Sequence, residues 1–279
     1  NPNYKKINRH CLKENRYLII EKLLIENNKN DKLLNEFCSY ICSTQTHLTP
    51  KIEELPQVMN LFSCLEWVKS YLYANSYMNE TNYKLSRDYL WEISNFEKTN
   101  TGTNNLYYSI NDIVHDYKNR KMHLVQRNSN YYLVESLTIQ EYFKKDKIKG
   151  KDYNNKIEYI TPLETDIQNF RSYKNIELTR MGTIEIRSDC TQEIDNLFEI
   201  VAFNVGILQN YKSIEELVKK YKFNSNYIER RKRFNKISIL NSDEMRFVNE
   251  VIDLIYLGLK ERKYNEENLL KKVKEMRKR

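Results

Sequence analysis

The stretch from Ile184 to Arg187 alternates two isoleucines with two charged residues, and this alternation constrains the fold more than any other feature. Successive side chains of a β-strand point to opposite faces, so the spacing predicts isoleucines on one face and Glu185 with Arg187 on the other. The apolar face can pack on helices. On the opposite face, the carboxylate can bind a divalent cation, and the guanidinium can bind a phosphate or carboxylate. An ordinary ion pair on a solvated face is the commoner explanation for such spacing.

The scarcity of glycine and proline indicates long helices with few tight turns. The chain has 5 Gly and 4 Pro in 279 residues, which argues against a loop-rich or all-β protein. Its hydrophobic content of 40% can fill a substantial core, and its length suits one large domain or two modest ones. After Thr191 the sequence is predicted to be nearly all helical.

The sequence gives limited information on where the protein is located in the cell. No apolar run reaches the roughly 18 residues of a transmembrane helix, and the N-terminus lacks the apolar core of a signal peptide. The chain begins with Asn1 rather than methionine, so we expect upstream residues to have been removed or left out. We interpret the 5 cysteines as reduced thiols of a cytoplasmic protein, because they lack paired or zinc-ligand spacing. They are Cys11, Cys38, Cys42, Cys64 and Cys190.

The net charge of +8 suits an anionic small substrate as well as a nucleic acid. The basic residues are spread along the chain and are not interleaved with aromatics on one recognisable surface, which argues against nucleic-acid binding. The densest group, Arg230–Arg233, is interpreted as a solvated helix face, with phosphate contact as the alternative.

Hydrophobic periodicity places the other elements. Helical segments are predicted at 15–26, 31–38, 51–74, 110–117, 137–145, 165–170, 193–208, 213–221, 224–234, 243–262 and 266–277, with a short element of unspecified type at 85–93. Strands are predicted at 40–48 and 175–178, and a hairpin joins 123–127 to 131–134. Residues 95–105 are predicted to form a loop that could close over a ligand, and 147–156 a charged, mobile loop.

Gln45 and His47 project to the same face of the predicted strand at 40–48. A histidine in such a place is more often a hydrogen-bonded structural residue than a ligand. A Gln-x-His pair that faces a cleft can nevertheless bind a metal or a nucleotide, so both interpretations stay open.

Taken in order, several segments resemble the glutamate–cysteine ligase family and the wider group of ATP-dependent carboxylate–amine ligases. The closest match is Gly182–Arg187. The other matching segments are Arg16-Tyr17, Ser43–Leu48, Ala74-Asn75-Ser76, Leu85-Ser86-Arg87 with Trp91, Asn100-Thr101-Gly102, Tyr131–Phe143, Ala202–Leu208 and Gly258–Arg262. No single motif is highly specific, but their common order along most of the chain makes the resemblance stronger than any one of them.

The resemblance implies one catalytic domain over residues 1–279, with the helical part at 193–279 included in it. It implies an α+β, glutamine-synthetase-like fold, in which an antiparallel sheet forms a funnel with helices outside. The implied reaction uses ATP and Mg²⁺ to join the γ-carboxylate of glutamate to an amino acid amine, with cysteine favoured, through a γ-glutamyl phosphate. The implied partners are therefore small molecules, with no membrane.

The resemblance also implies a role for each matching residue. Glu185 would be a magnesium ligand with His47 at the metal, and Gln45 would lie beside the nucleotide. Arg187 would contact the transferring phosphoryl group. Arg87 would face the acidic substrate or the acyl phosphate, and Arg16 is a further candidate of this kind.

The sequence departs from the family in two places. The early Gly-x-Glu-x-Glu strand, which supplies further metal carboxylates, has no counterpart here. Either it lies upstream, or the chain is a shortened relative without full catalytic equipment. In addition, Tyr77 stands where the family usually has proline, and no arginine stands next to Asn100-Thr101-Gly102. These changes concern the substrate side, so a ligase with another amine or acid and a non-catalytic, nucleotide-binding relative both remain alternatives.

Overall fold

The computed structural model describes residues 14–27, 43–77, 82–94, 96–236 and 239–276. In this part of the chain the fold is α+β, with open antiparallel sheets and one short parallel pair of strands. The predicted class is therefore confirmed. The predicted helix at 31–38 lies outside the described residues.

The helices and strands follow one another along the whole described chain. The helices are α1 Asn15–Asn27, α2 Leu55–Tyr73, α3 Ser86–Ile93, α4 Ile110–Asn119, α5 Ile139–Tyr142, α6 Asp166–Asn169, α7 Glu199–Gln209, α8 Tyr211–Lys220, α9 Tyr227–Phe234, α10 Ser242–Glu261 and α11 Lys271–Met276. The strands are β1 Ser43–Leu48, β2 Thr101–Gly102, β3 Lys121–Arg127, β4 Asn130–Thr138, β5 Ile148–Lys151, β6 Ile157–Ile160, β7 Tyr173–Lys174, β8 Ile176–Leu178 and β9 Ile184–Cys190. Short 3₁₀ segments occur at Ile52–Glu54, Lys98–Asn100, Ile194–Asn196 and Glu266–Leu269.

The strand with the alternating pattern, β9, lies in the middle of a three-stranded antiparallel sheet with the order β1-β9-β8. Ile184 and Ile186 are completely buried in the main core, as the alternation predicts. A turn with Gly182 at φ +75° connects β8 to β9, a conformation that favours glycine. This sheet holds the charged face of β9 in a fixed place.

The main core joins this sheet to α2 and to the C-terminal helices. Trp67 of α2 is fully buried, and its ring lies within 5.0–5.7 Å of the rings of Phe223, Phe234 and Phe247. Such contacts between large aromatic rings stabilise a core beyond the area that they bury. The helices after residue 193 thus share one apolar cluster with α2 and β9.

The predicted mobile loop at 147–156 is wrong, because it contains β5 of a second sheet with the order β3-β4-β5-β6. Ile148 and Gly150 face the core, while the lysines between and after them are exposed or half-buried. Gly150 allows close packing, since a Cβ there would lie 2.3 Å from Cδ1 of Ile160. The segment was predicted to be a loop because three of the five residues 147–151 are lysines, and these made the two-residue alternation of a strand hard to recognise.

Several predicted boundaries change for local reasons. The predicted helix at 137–145 is reduced to α5, because β4 continues to Thr138, whose side chain caps the helix together with Glu141. The helix predicted at 193–208 begins only at Glu199 and follows a 3₁₀ turn. The short element at 85–93 is helix α3, and Ser109 is the N-cap of α4.

The two cysteines that the structure describes, Cys64 and Cys190, are free and buried. Cys11, Cys38 and Cys42 lie outside the described residues. Among the described helices, none combines the length and the apolar character that spanning a lipid bilayer requires.

Candidate functional site

Glu185 and Arg187 lie together on the face of β9 opposite the isoleucines, as predicted. Arg187 donates from Nε to Oε2 of Glu185 at 2.7 Å, and its Nη2 lies 2.5 Å from the same oxygen. Its Nη1 donates to the backbone oxygen of Ser172 at 2.6 Å. The ion pair that the spacing alone favoured is therefore present, and it fixes the direction of a half-buried guanidinium.

His47 is the cross-strand neighbour of Glu185, and Gln45 is less well connected. The Nε2 atom of His47 lies 3.7 Å from Oε1 of Glu185, and Nδ1 lies 3.2 Å from the hydroxyl of Thr183. Gln45 is exposed, and its side chain makes no hydrogen bond to any residue that the structure describes. Of the predicted pair on β1, only His47 reaches the charged face of β9.

Arg87 lies close to Arg187, although it comes from helix α3. Its Nη1 donates to Oδ1 of Asn175 at 2.8 Å, and its Nη2 donates to the backbone oxygen of Tyr173 at 3.2 Å. Burial lowers the pKa of Arg87, and the positive charge of Arg187 lowers it further, against the opposite effect of Asp88. The structure thus brings together two arginines that the sequence separates by 100 positions (87 and 187).

Arg171 is a member of this group that the sequence did not reveal. It precedes β7, and its pKa is lowered first by desolvation, next by the charge of Arg16 and also by that of Arg187. Arg171 belongs to no recognisable motif, so only the path of the chain between α6 and β7 shows its position. We call Arg16, Arg87, Arg171 and Arg187 the arginine cluster.

The carboxylates beside the arginine cluster are too few to neutralise its four positive charges. Glu185 pairs with Arg187, and Asp88, beside Arg87, also pairs with Arg231 at 2.8 Å. Within the described ranges, neither Arg16 nor Arg171 forms an ion pair with a carboxylate, and the Nε of Arg16 is buried without a hydrogen-bond partner. Four cations from four separate segments with so few counter-ions form a candidate site for an anion such as a phosphate or carboxylate.

The predicted metal ligands do not form a metal site by themselves. Glu185, beside His47, is already paired with Arg187, and Glu177 across the sheet accepts from Arg120 at 2.8 Å and from Tyr117. No group of three or more His, Cys, Asp or Glu side chains suited to a metal ion occurs among the residues that the structure describes. Mg²⁺ needs near-octahedral oxygen ligands, so these residues alone do not fit it.

A cavity of about 810 Å³ adjoins the arginine cluster at Asn175. None of the six predicted site residues lines it. Part of its wall is the predicted ligand-covering loop at 95–105, together with Trp91, Asp116, Lys174 and Arg231. The cavity is therefore a second candidate site that the sequence indicated only through that loop.

Arg231 corrects the prediction that Arg230–Arg233 is a solvated helix face. Its side chain is 3% exposed and pairs with Asp88, and Nη1 donates to the backbone oxygen of Glu66 at 2.6 Å. Arg230 and Arg233 both pair with the buried carboxylate of Glu244. The three arginines of the run connect α9 to α2, α3 and α10, because residues on successive positions of a helical turn point in different directions, whereas Lys232 is exposed and pairs with Glu229 of the same helix.

Comparison with known proteins adds no further assignment. No model of a known protein family matches this chain, and a search of curated proteins found no match either.

Proposed function

We propose that this chain is an ATP-dependent carboxylate–amine ligase that forms a γ-glutamyl amide, with glutamate and cysteine as the first substrate pair to test. The proposal includes a glutamine-synthetase-like fold, as the resemblance of the sequence implies. The observation that supports it best is the arginine cluster, since both substrates of the first step, ATP and glutamate, are anions.

In the proposed reaction, a γ-carboxylate oxygen of glutamate attacks the γ-phosphorus of ATP, and ADP leaves. The amine then attacks the acyl carbon, and phosphate leaves with the carboxylate oxygen that formed the new bond. Negative charge is spread over the phosphoryl oxygens in the transition state, and fixed cationic donors stabilise it. Arg187, fixed by Glu185 and by the Ser172 oxygen, suits this role.

The other arginines suit the binding of the substrates. Arg16 and Arg171 have no carboxylate partner within the described ranges. They can therefore bind the phosphates of ATP or the α-carboxylate of glutamate. Arg87 is held by Asn175 and by the Tyr173 oxygen, and such a partly buried, oriented guanidinium can position the reacting carboxylate. Because the described residues do not fit Mg²⁺ alone, we assign no step to a protein-bound metal.

A second candidate is a non-catalytic relative that binds a nucleotide or another anion without turnover. It is supported by the engagement of Glu185 with Arg187 and by the lack of a carboxylate group suited to a metal in the described part of the chain. A related ligase that uses another amine or acid has the same arginine requirement and differs only in its substrates.

We expect ADP release to require glutamate and to increase strongly with one amine. The assay measures ADP from purified protein with ATP, magnesium and glutamate, to which each common amino acid is added in turn. A γ-glutamyl product of matching mass should accumulate at the same rate as ADP. Binding of ATP to folded protein without ADP release for any amine would contradict the ligase and favour the non-catalytic relative.

A further inference from the structure

Asn175 connects the arginine cluster to the strands and the cavity beside it. It lies between β7 and β8, is 2% exposed, and forms part of the cavity wall. Its backbone N–H donates to the oxygen of Gly102 at 2.9 Å, and its backbone oxygen accepts from the N–H of Arg187 at 2.8 Å. Its side-chain Oδ1 accepts from Nη1 of Arg87 at 2.8 Å, a shorter bond than the 3.2 Å between Arg87 and the Tyr173 oxygen. One residue thus contacts both arginines that have a role at the reacting groups in the proposed reaction.

The carboxylate of Glu66 determines which way the Asn175 amide points. Glu66 of α2 is fully buried, and its Oε2 accepts from the amide nitrogen of Asn175 at 3.1 Å. The same oxygen accepts from the Thr103 hydroxyl at 2.6 Å, and Oε1 accepts from the Ser188 hydroxyl at 3.2 Å. An ionised carboxylate can only accept hydrogen bonds, so it binds the NH₂ end of the amide. The oxygen end of the amide is therefore turned to Arg87.

Glu66 also connects three segments that meet beside the arginine cluster. Asn175 joins β7 to β8, and Thr103 follows β2 on the cavity wall. Ser188 follows Arg187 on β9. Burying a carboxylate costs free energy unless other groups compensate it, and here three hydrogen bonds from these segments do so. The orientation of the Asn175 amide gives this costly arrangement a purpose.

We propose that Asn175, oriented by Glu66, is a positioning residue that holds Arg87 in the direction in which its guanidinium binds the γ-carboxylate of glutamate. A guanidinium has five N–H donors. Arg87 thus keeps N–H groups for the substrate while the Asn175 and Tyr173 oxygens fix its plane. This inference rests on the proposed function, because it assumes that Arg87 binds the carboxylate of the acidic substrate.

Calorimetric titration of the whole protein with L-glutamate tests the proposal. Magnesium and β,γ-imido-ATP are present throughout, so that binding is measured without turnover. N175A should weaken glutamate binding by about three- to tenfold, because a guanidinium that is free to turn must be ordered when the substrate binds. The affinity for β,γ-imido-ATP should change by less than about twofold, since the phosphates contact other arginines of the cluster in the proposed reaction.

N210A is the matched control for N175A. Asn210 is half-buried and donates a side-chain hydrogen bond to the backbone oxygen of Leu254 at 2.9 Å, among the C-terminal helices. Its removal also deletes an amide that bridges two segments, but it leaves Arg87 untouched. N210A should therefore bind glutamate as the wild type does.

The double variant E66Q/N175D distinguishes positioning from packing. N175D alone places a carboxylate oxygen against Oε2 of Glu66, where the amide nitrogen lies at 3.1 Å in the native protein, and should weaken glutamate binding at least as much as N175A. In the double variant the amide and the carboxylate exchange places. The amide at position 66 then donates to the carboxylate at position 175, which still accepts from Arg87, and the hydroxyls of Thr103 and Ser188 can accept as well as donate. Glutamate affinity should return to within about threefold of that of the wild type.

The two binding results decide the proposal separately from the ligase reaction. Equal glutamate affinity of N175A and the wild type, a double variant no better than N175D, or a wild type that binds no glutamate would overturn it. N175D and the double variant keep the native side-chain shape, so they decide the question even if N175A does not fold. Glutamate binding that follows the predicted order, without ADP release, would contradict the ligase reaction only. ADP release with unchanged glutamate binding in N175A would contradict this inference only.

Discussion

R187A is expected to lower kcat/KM for ADP release by about 10²–10³, the usual effect of removing one oriented donor to a charged transition state. The Arg187 guanidinium is fixed by three contacts to Glu185 and the Ser172 oxygen, so it needs little reorganisation when charge develops on the phosphoryl group. R187K should have little more activity than R187A, because a lysine ammonium cannot form the paired, planar hydrogen bonds of a guanidinium group. Steady-state kinetics with the amine found in the ADP assay measures both.

R180A is the matched control for this prediction. Arg180 is an exposed arginine on the same β8–β9 connection, outside the arginine cluster, so its removal changes net charge equally but leaves the site intact. Its activity should stay close to that of the wild type. If R187A turned over ATP as fast as R180A, the Glu185–Arg187 pair would be an ordinary structural ion pair.

K69M is expected to destabilise the fold by about 3–5 kcal/mol, because it leaves a buried carboxylate without its cation. Lys69 of α2 and Asp189 of β9 form an ion pair of 2.7 Å, and their side chains are 2% and 1% exposed. Asn204 of α7 donates to the second oxygen of Asp189 at 2.6 Å. The pair therefore joins the strand that bears Arg187 to two core helices.

Urea unfolding measures this loss, with K219M as the control. Lys219 pairs with Glu215 on the exposed surface of α8, where such a pair contributes about 0.3–0.5 kcal/mol. The double variant K69M/D189N should lose less than the sum of the two single variants, since it leaves no unpaired charge. An equal loss in K69M and K219M would show that the Lys69–Asp189 pair does not anchor β9.

The alternating pattern of β9 was sufficient to predict the charged face of this strand. It was not sufficient to predict which residues from other segments lie beside that face. Alternation with a period of two assigns Ile184, Glu185, Ile186 and Arg187 to their faces without any tertiary information. The arginine cluster depends on contacts between segments far apart in the chain. Arg171 has no local pattern around it, and its place follows from the pairing of β7 with β2.

Charged residues caused the clearest errors, because sequence patterns assume that charges face solvent. Arg231 is buried because Asp88 and a backbone oxygen satisfy it, and β5 is a strand because Ile148 and Gly150 alone face the core. Both features require partners that are distant in sequence. The α+β class could be predicted, whereas the glutamine-synthetase-like topology remains part of the proposal.

The most direct measurement follows oxygen from glutamate into phosphate. Glutamate carrying a heavy oxygen isotope in its γ-carboxylate is supplied with ATP, magnesium and the active amine, and the released phosphate is analysed by mass spectrometry. A ligase that forms γ-glutamyl phosphate must transfer one labelled oxygen to each phosphate, in step with the γ-glutamyl product. Phosphate without the label, or no phosphate at all, would contradict the proposed reaction and leave the arginine cluster as an anion-binding site only.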